Sequence, residues 1–310
     1  MMATTDIGIW AVPLAMLAGA IRVSTPFLFV SLGECLTEKS GRINLGLEGT
    51  LVFGAMSAYA VSFHTQSPWF GTLCAGFAGA AFGALHGAIC RLPRVSDIAI
   101  GIAMMLFGTG LAFFFGKPYI QPDAPHLPSL ALGAWSALPQ VQAALQINPL
   151  FLIGIVLAVV LAWALRRTRW GLVVRMCGDS ASAARAAGYR VDAVRLVATA
   201  LGGFMAGVGG AFLSLSYPGS WSEGLSSGQG MMAVALVIFA RWHPLGCVGA
   251  ALLFGAAGAI GPALQSIGVT SGYYFFNAAP YLLTLVVLVA SSSPRRNLKG
   301  APAELSITRR

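Results

Sequence analysis

Long stretches without charge constrain the fold of this chain more than any other feature. No Asp, Glu, Lys or Arg occurs from Gly49 to Cys90. The 310 residues are 57% hydrophobic and 9% charged, whereas a soluble domain is about 25% charged. A helix needs about 20 apolar residues to cross a bilayer, and a β-barrel shows short alternating segments instead. The sequence therefore predicts an all-α polytopic membrane protein, with about 8 to 10 transmembrane helices in a single domain over residues 1–310.

Charge placement predicts the topology. The net charge of +9 comes mainly from basic residues between the apolar runs. Such residues collect on the cytoplasmic side of membrane proteins, so we expect a lipid bilayer and no nucleic acid as partner. Segment 166–195 is strongly basic and is predicted to be a cytoplasmic loop. Segment 117–148 is rich in Pro and Gln and is predicted to be an external loop, with a short surface helix around 138–145.

The individual segments carry further signals. The first span is predicted from Trp10 to Leu32, followed by a polar turn, and the second from Ile43 to Phe63. Pro68 opens the third span, in which glycines recur at every fourth position and predict a closely packed neighbouring helix. The polar turn contains Glu34, Glu38, Lys39 and Arg42, and the glycine stripe consists of Gly79, Gly83 and Gly87.

Two distant segments resemble each other. The run from Pro68 to Gly83 is similar to the run from Pro244 to Ala259, and the predicted topology gives them opposite orientations. Inverted repeats are typical of transporters, whose sites lie near the bilayer midplane between the repeats. In this register Glu48 corresponds to Gly224, beside Glu223.

The stretch from Ser40 to Gly49 is the main candidate for a site. Glu48 stands at the mouth of the uncharged run, where a lipid-facing carboxylate costs several kcal/mol, so it should face the protein interior, a cavity or the interface. Asn44 and Glu48 are predicted to shape the substrate path, with Glu223 as an addition. The alternative is that Glu48 is a charge favoured by a helix N-terminus.

Motifs for chemistry are absent from the sequence. It has no Walker A motif, HExxH, GxSxG or Rossmann fingerprint. Its four histidines lack metal-ligand spacing, and its five cysteines are scattered. We therefore predict neither catalytic residues nor a metal site.

The basic segment contains one predicted helix. Asp179 and Ser180 form an N-cap signal before an alanine-rich run that ends at Gly188. A short cytoplasmic helix of this kind suits a partner's groove. The alternative is a solvated basic loop.

Several motifs together resemble the permease subunits of ABC importers, in the nucleoside-type branch of the branched-chain amino acid, sugar and nucleoside permease superfamily. The resemblance covers roughly Thr25 to Val289. The chain differs from the family pattern at Arg42, where a small apolar residue is usual, and at His243, where Asn is usual. The matching runs are Asn-Leu-Gly-Leu-Glu-Gly at 44–49, Arg-Met-Cys-Gly-Asp at 175–179, Phe-Ala-Arg-Trp-His-Pro-Leu-Gly at 239–246 and Pro-Tyr-Leu-Leu-Thr-Leu at 280–285.

This resemblance implies a non-enzymatic subunit in the bacterial cytoplasmic (inner) membrane that imports nucleosides or nucleobases. It implies three partners: a second related permease, a cytoplasmic ATP-binding subunit that carries ATP and Mg²⁺, and an extracytoplasmic substrate-binding lipoprotein. No cofactor is expected on this chain. Open alternatives are a permease for a simple sugar or branched-chain amino acid, and an ion-coupled secondary transporter. The resemblance also implies a coupling helix on the ATPase, formed by Gly178, Asp179, Ala183, Ala184, Ala187 and Gly188.

Overall fold

A computed structural model describes residues 11–120, 122–136, 138, 141–142, 145–266, 275–276, 278–291 and 300–307. The described elements are almost entirely helical, with one short 3₁₀ turn at Lys117–Tyr119. They are α1 (Ala11–Lys39), α2 (Leu47–Thr65), α3 (Pro68–Ile89), α4 (Asp97–Gly116), β1 (Leu130–Ala131), β2 (Gln146–Ile147), α5 (Pro149–Arg167), α6 (Arg169–Asp179), α7 (Ala181–Ala186), α8 (Val191–Leu215), α9 (Gln229–Phe239), α10 (Pro244–Ser266), α11 (Ala279–Ser291) and α12 (Glu304–Ile307).

Six of these helices are long and apolar enough to cross a membrane: α1, α3, α4, α5, α8 and α10. Three further apolar helices, α2, α9 and α11, have 19, 11 and 13 residues. Together they give nine apolar helices within the described ranges, which confirms the predicted all-α polytopic class.

Helix starts follow the cap signals in the sequence. Pro68 and Pro149 are the first residues of α3 and α5, directly after Ser67 and Asn148. Asn148 Oδ1 accepts a hydrogen bond from the Leu150 amide at 2.9 Å. Proline suits this position because the first amides of a helix have no partner within the helix. The third span therefore begins where the sequence predicts it.

The prediction of a polar turn after the first span is wrong, because α1 continues to Lys39. Glu34 and Glu38 lie one turn apart on its buried face. The Asn44 amide donates to Glu34 Oε1 at 2.8 Å, and the Trp242 indole N–H donates to Glu38. A protein donor thus reaches each of these buried carboxylates and neither residue ends the helix, although Glu34 Oε2 has no hydrogen-bond partner among the described residues.

The centre of the bundle is the antiparallel pair of α1 and α8. Gly33 of α1 lies against Gly202 of α8, whereas Phe29, earlier in α1, lies against Gly209, later in α8. Among the six long helices, α8 is the most buried and α4 the least. The α1–α8 pair is therefore the part of the bundle most enclosed by protein.

The two halves of the bundle make equivalent helix–helix contacts. α1 packs on α10 as α8 packs on α3, and α2 packs on α8 as α9 packs on α1. α2 also packs on α3 and α4 as α9 packs on α10 and α11. Since α1 and α8 are antiparallel, helices α1–α4 (the first repeat) and α8–α11 (the second repeat) form an inverted pair. The spacing supports this, because Pro68 and Pro244 are as far apart in sequence as Lys39 and Leu215, the last residues of α1 and α8.

Two connecting segments lie at opposite ends of α8. Segment 117–148 contacts its last residue, since the Leu127 amide donates to the Leu215 carbonyl at 2.8 Å. Segment 166–195 leads into its first residue, Val191. This is the separation that loops on opposite sides of a membrane require. Residues 139–140 and 143–144 of the predicted surface helix lie outside the described residues.

Candidate functional site

Glu48 lies in the first turn of α2, and its buried carboxylate faces the N-terminus of α9. Its Oε1 accepts hydrogen bonds from Ser226 Oγ at 2.5 Å and from the Gly228 amide at 3.1 Å. Its Oε2 accepts from the amides of Gly230 at 2.6 Å and Met231 at 3.3 Å. The carboxylate thus satisfies N–H groups that the first turn of a helix leaves unpaired. Glu48 caps a helix of the other repeat.

The depth of this contact follows from the length of α9. Its 11 residues span about 16 Å, roughly half of a hydrocarbon core of about 30 Å. It ends just before Trp242, which contacts Glu38 near the end of α1. The N-terminus of α9 therefore lies about half-way across the bundle, and the carboxylate of Glu48 lies there with it.

The two helix starts touch directly. A Cβ atom on Gly230 would lie 2.6 Å from Glu48 Cα and 2.8 Å from its backbone nitrogen. Only glycine permits this approach, because a real Cβ atom needs more than 3.0 Å. The repeats are therefore in backbone contact at the capped carboxylate.

Asn44 holds the link between α1 and α2. The second span begins at Leu47, later than the predicted Ile43. Asn44 is buried, and its backbone N–H donates to Glu34 Oε1. Its side-chain Oδ1 accepts from the Gly46 backbone N–H at 3.0 Å. Asn44 therefore fixes the link against α1 and is not presented to solvent.

Glu223 is placed differently from the other two predicted path residues. It is exposed in the segment before α9, and Ser226 supplies the side-chain hydrogen bond to Glu48 from that segment. Sequence reasoning missed Ser226, and it also missed Gln229, whose Oε1 is buried without a hydrogen-bond partner among the described residues. The signal that could have identified Gln229 is its place as a polar residue in the first turn of the apolar helix α9.

Two further buried polar contacts were not predicted. Arg42 and Asp97 form an ion pair at 2.5 Å, with side-chain exposures of 14% and 5%. This pair joins the α1–α2 link to the first residue of α4. Glu34 and Glu38 form the other group, and their spacing of four residues on one helix face is the sequence signal for it.

The short helix predicted after Ser180 is present as α7. Ser180 Oγ accepts from the Ala183 amide at 3.2 Å, and Gly188 follows with φ +85°. Both features were expected from the sequence. Ala181 and Ala184 are buried, and the opposite face of α7 is exposed. Among the six residues proposed for coupling, Gly178 and Ala184 are buried, whereas Asp179, Ala183, Ala187 and Gly188 are exposed.

Two groups in the segments that connect the apolar helices have shifted pKa values. Burial raises the pKa of the Cys177 thiol at the end of α6 above its usual value. In the turn after α9, burial lowers the pKa of His243, and the nearby Arg166 guanidinium lowers it further. Arg166 donates to His243 Nε2, which requires a neutral imidazole. The positive charge at this contact is therefore carried by Arg166 and not by His243.

Comparison with known proteins identifies the family. Residues 8–292 match the family described as branched-chain amino acid transport system / permease component. The chain belongs to this family.

Three relatives are similar over most of their length. A protein of Haloferax volcanii, provisionally named as a glucose ABC transporter permease, is 32% identical over 82% of this chain and 79% of its own. A nucleoside ABC transporter permease of Lactococcus lactis is 29% identical over 88% and 90%. A guanosine ABC transporter permease of Bacillus subtilis is 28% identical over 90% and 93%.

These findings and the nine apolar helices agree. The chain is a multi-pass membrane protein and the permease subunit of an ABC transporter. The family that the sequence motifs resembled is thereby confirmed.

Proposed function

We propose that this permease imports nucleosides or nucleobases, driven by ATP hydrolysis on a separate subunit. Two of the three relatives above are named for nucleoside or guanosine transport, and each aligns over about nine-tenths of both chains. The Asn-Leu-Gly-Leu-Glu-Gly run at 44–49 is the local motif that favours this branch.

The observation that carries the mechanism is the Glu48 cap between the repeats. In alternating access, one repeat moves against the other around a site near the midplane. The Glu48 carboxylate projects from α2 of the first repeat and caps α9 of the second repeat at half-depth. Movement of one repeat against the other must either preserve or break this contact. Glu48 therefore gates the path, and Asn44 fixes the link from which it projects. Glu223 remains a weaker member of this group, because it is exposed and lies apart from the cap.

Partners follow from the same family. The chain matches two different nucleoside permeases of Lactococcus lactis, at 29% and 22% identity. This supports a second, related permease beside this one. The exposed face of α7 is the proposed contact with a cytoplasmic ATP-binding subunit, which carries ATP and Mg²⁺, whereas this chain carries no cofactor. An extracytoplasmic substrate-binding lipoprotein completes the proposed importer.

A sugar substrate is the second candidate, because the relative with 32% identity is provisionally named for glucose. Uptake of labelled nucleosides and sugars, measured in cells lacking this gene and after its restoration, separates the two. Loss and recovery of nucleoside uptake supports the proposal. A change in sugar uptake alone moves the substrate and contradicts it.

The gating role is tested by Glu48→Gln. The amide replaces one acceptor oxygen with a donor that faces backbone N–H groups, so about half of the cap is lost. We expect reduced uptake with normal assembly. Asp123→Asn, the same chemical change at an exposed loop position, is the control and should transport normally. Uptake by Glu48→Gln equal to that of the control refutes the gating role.

A further inference from the structure

Residues 300–307 pack against α7. Glu304, the first residue of α12, accepts a hydrogen bond at Oε1 from the Ala181 amide, the first amide of α7, at 2.9 Å. Its Oε2 accepts from Arg195 Nη2 at 3.2 Å. One carboxylate therefore joins α7 to α8.

Arg195 extends this connection to α1 and α6. Its Nε donates to the Ser40 carbonyl at 3.0 Å, and its Nη2 donates to the Cys177 carbonyl at 3.1 Å. The side chain is about 10% exposed. A guanidinium with this little water needs its partners, since a buried unpaired charge is costly.

Other residues between 300 and 307 also contact the helices. Lys39 Nζ donates to the Gly300 carbonyl at 2.8 Å, and Leu305 is buried in the main hydrophobic core. A Cβ atom on Gly178 would lie 3.2 Å from Pro302 Cβ. Residues 300–307, named here the tail segment, therefore dock on the cytoplasmic ends of α1, α6 and α8.

α7 depends on such contacts. It has only six residues, and helices below about 12 residues are marginal in water by themselves. Its N-terminal amides favour a nearby carboxylate, which the tail segment supplies. The position of α7 relative to α8 therefore depends largely on contacts with other parts of the chain, including the tail segment.

We propose that Glu304 is a positioning residue that couples α7 to the α1–α8 pair. This inference rests on the proposed function, in which α7 receives movement from an ATP-binding subunit. A push on α7 reaches α8 through the Glu304 carboxylate and Arg195, and α8 is the antiparallel partner of α1 at the centre of the two repeats. Hydrogen bonds to charged groups are the stronger kind, so the link is stiff without being covalent.

The test measures substrate imported per ATP hydrolysed, using the assembled transporter in proteoliposomes. Glu304→Ala removes both hydrogen bonds and should lower this ratio about tenfold, the low end for a hydrogen bond to a charged group. ATP hydrolysis itself should persist. Glu304→Gln keeps a neutral acceptor for the Ala181 amide and should lie between Glu304→Ala and wild type. Asp192→Asn removes a nearby carboxylate of α8 and should keep the wild-type ratio.

The outcomes separate the two claims. An unchanged ratio in both Glu304 variants, or a proportional loss of transport and hydrolysis, overturns the positioning role, because a merely structural residue would change both together. If the wild-type transporter itself shows no ATP-dependent uptake of any nucleoside, the proposed function fails instead. Should Glu304→Ala fail to assemble, the ratio of the milder Glu304→Gln decides.

Discussion

The contact between α3 and α8 gives the sharpest prediction about stability. A Cβ atom on Gly79 would lie 2.1 Å from the Gly203 carbonyl oxygen, and one on Gly203 would lie 2.2 Å from the Gly79 oxygen. Ordinary contact begins at 3.4 Å. A methyl group at Gly79 must therefore push the backbones of α3 and α8 apart by more than an ångström. α8 is the most buried helix, so this separation disturbs packing along its whole length.

The magnitude follows from two opposed effects. Overpacking of this kind costs roughly 1–3 kcal/mol, occasionally more, and here the obstacle is backbone that cannot rotate away. Alanine recovers roughly 1 kcal/mol of helix propensity relative to glycine. We expect Gly79→Ala to lower the free energy of unfolding by about 2 kcal/mol net.

Gly110 offers a matched control in α4, because no described atom lies within 4 Å of a Cβ atom built there. Gly110→Ala should be neutral or stabilising by up to about 1 kcal/mol. The assay is equilibrium unfolding of the purified protein in mixed micelles, with thermal unfolding as a second measurement. If Gly79→Ala proves as stable as Gly110→Ala, the inference that glycine sets the spacing of α3 and α8 is refuted.

Two further predictions concern ionisable groups. Arg42→Ala leaves Asp97 buried without its partner and should cost about 3 kcal/mol, the low end for a buried pair because Arg42 keeps some solvent. Adding Asp97→Asn should recover most of that loss in the same unfolding assay, and an additive double variant contradicts the pairing. The pKa of His243 is lowered in the folded state by burial and then by Arg166. The unfolded chain, with an ordinary pKa near 6.5, then binds more protons, so stability falls as pH drops through that value towards the folded pKa. His243→Asn should weaken this fall, which begins as the pH drops through about 6.5. Thermal unfolding across that pH measures it, and an identical pH profile would count against the prediction.

The predictable part of the fold rests on local signals. Pro68 starts α3, the glycine stripe meets another helix, and Ser180 and Gly188 bound α7 as expected. Each of these depends on a few neighbouring residues, through caps, glycine geometry and apolar length. A single sequence carries such information directly.

The rest depended on distant partners. The local sequence places Glu38 in a turn, because its donor, Trp242, lies 204 residues further along the chain. Glu48 was expected in the path or at its own helix start, and its partners in α9 could be found only by folding the repeats together. Glu304 carried no motif at all. Buried carboxylates are thus hard to interpret until their donors are known.

The distances along the chain between these partners have a consequence for biosynthesis. Glu48 is made 178 residues before Ser226, and Glu38 is made 204 residues before Trp242. At about 5–20 residues per second, each carboxylate waits roughly ten to forty seconds for its donors. During that interval α2 holds the Glu48 carboxylate at half-depth, where lipid does not solvate it. The newly synthesised first repeat must therefore be protected from lipid at the site of insertion until the second repeat has been made and supplies the missing donors.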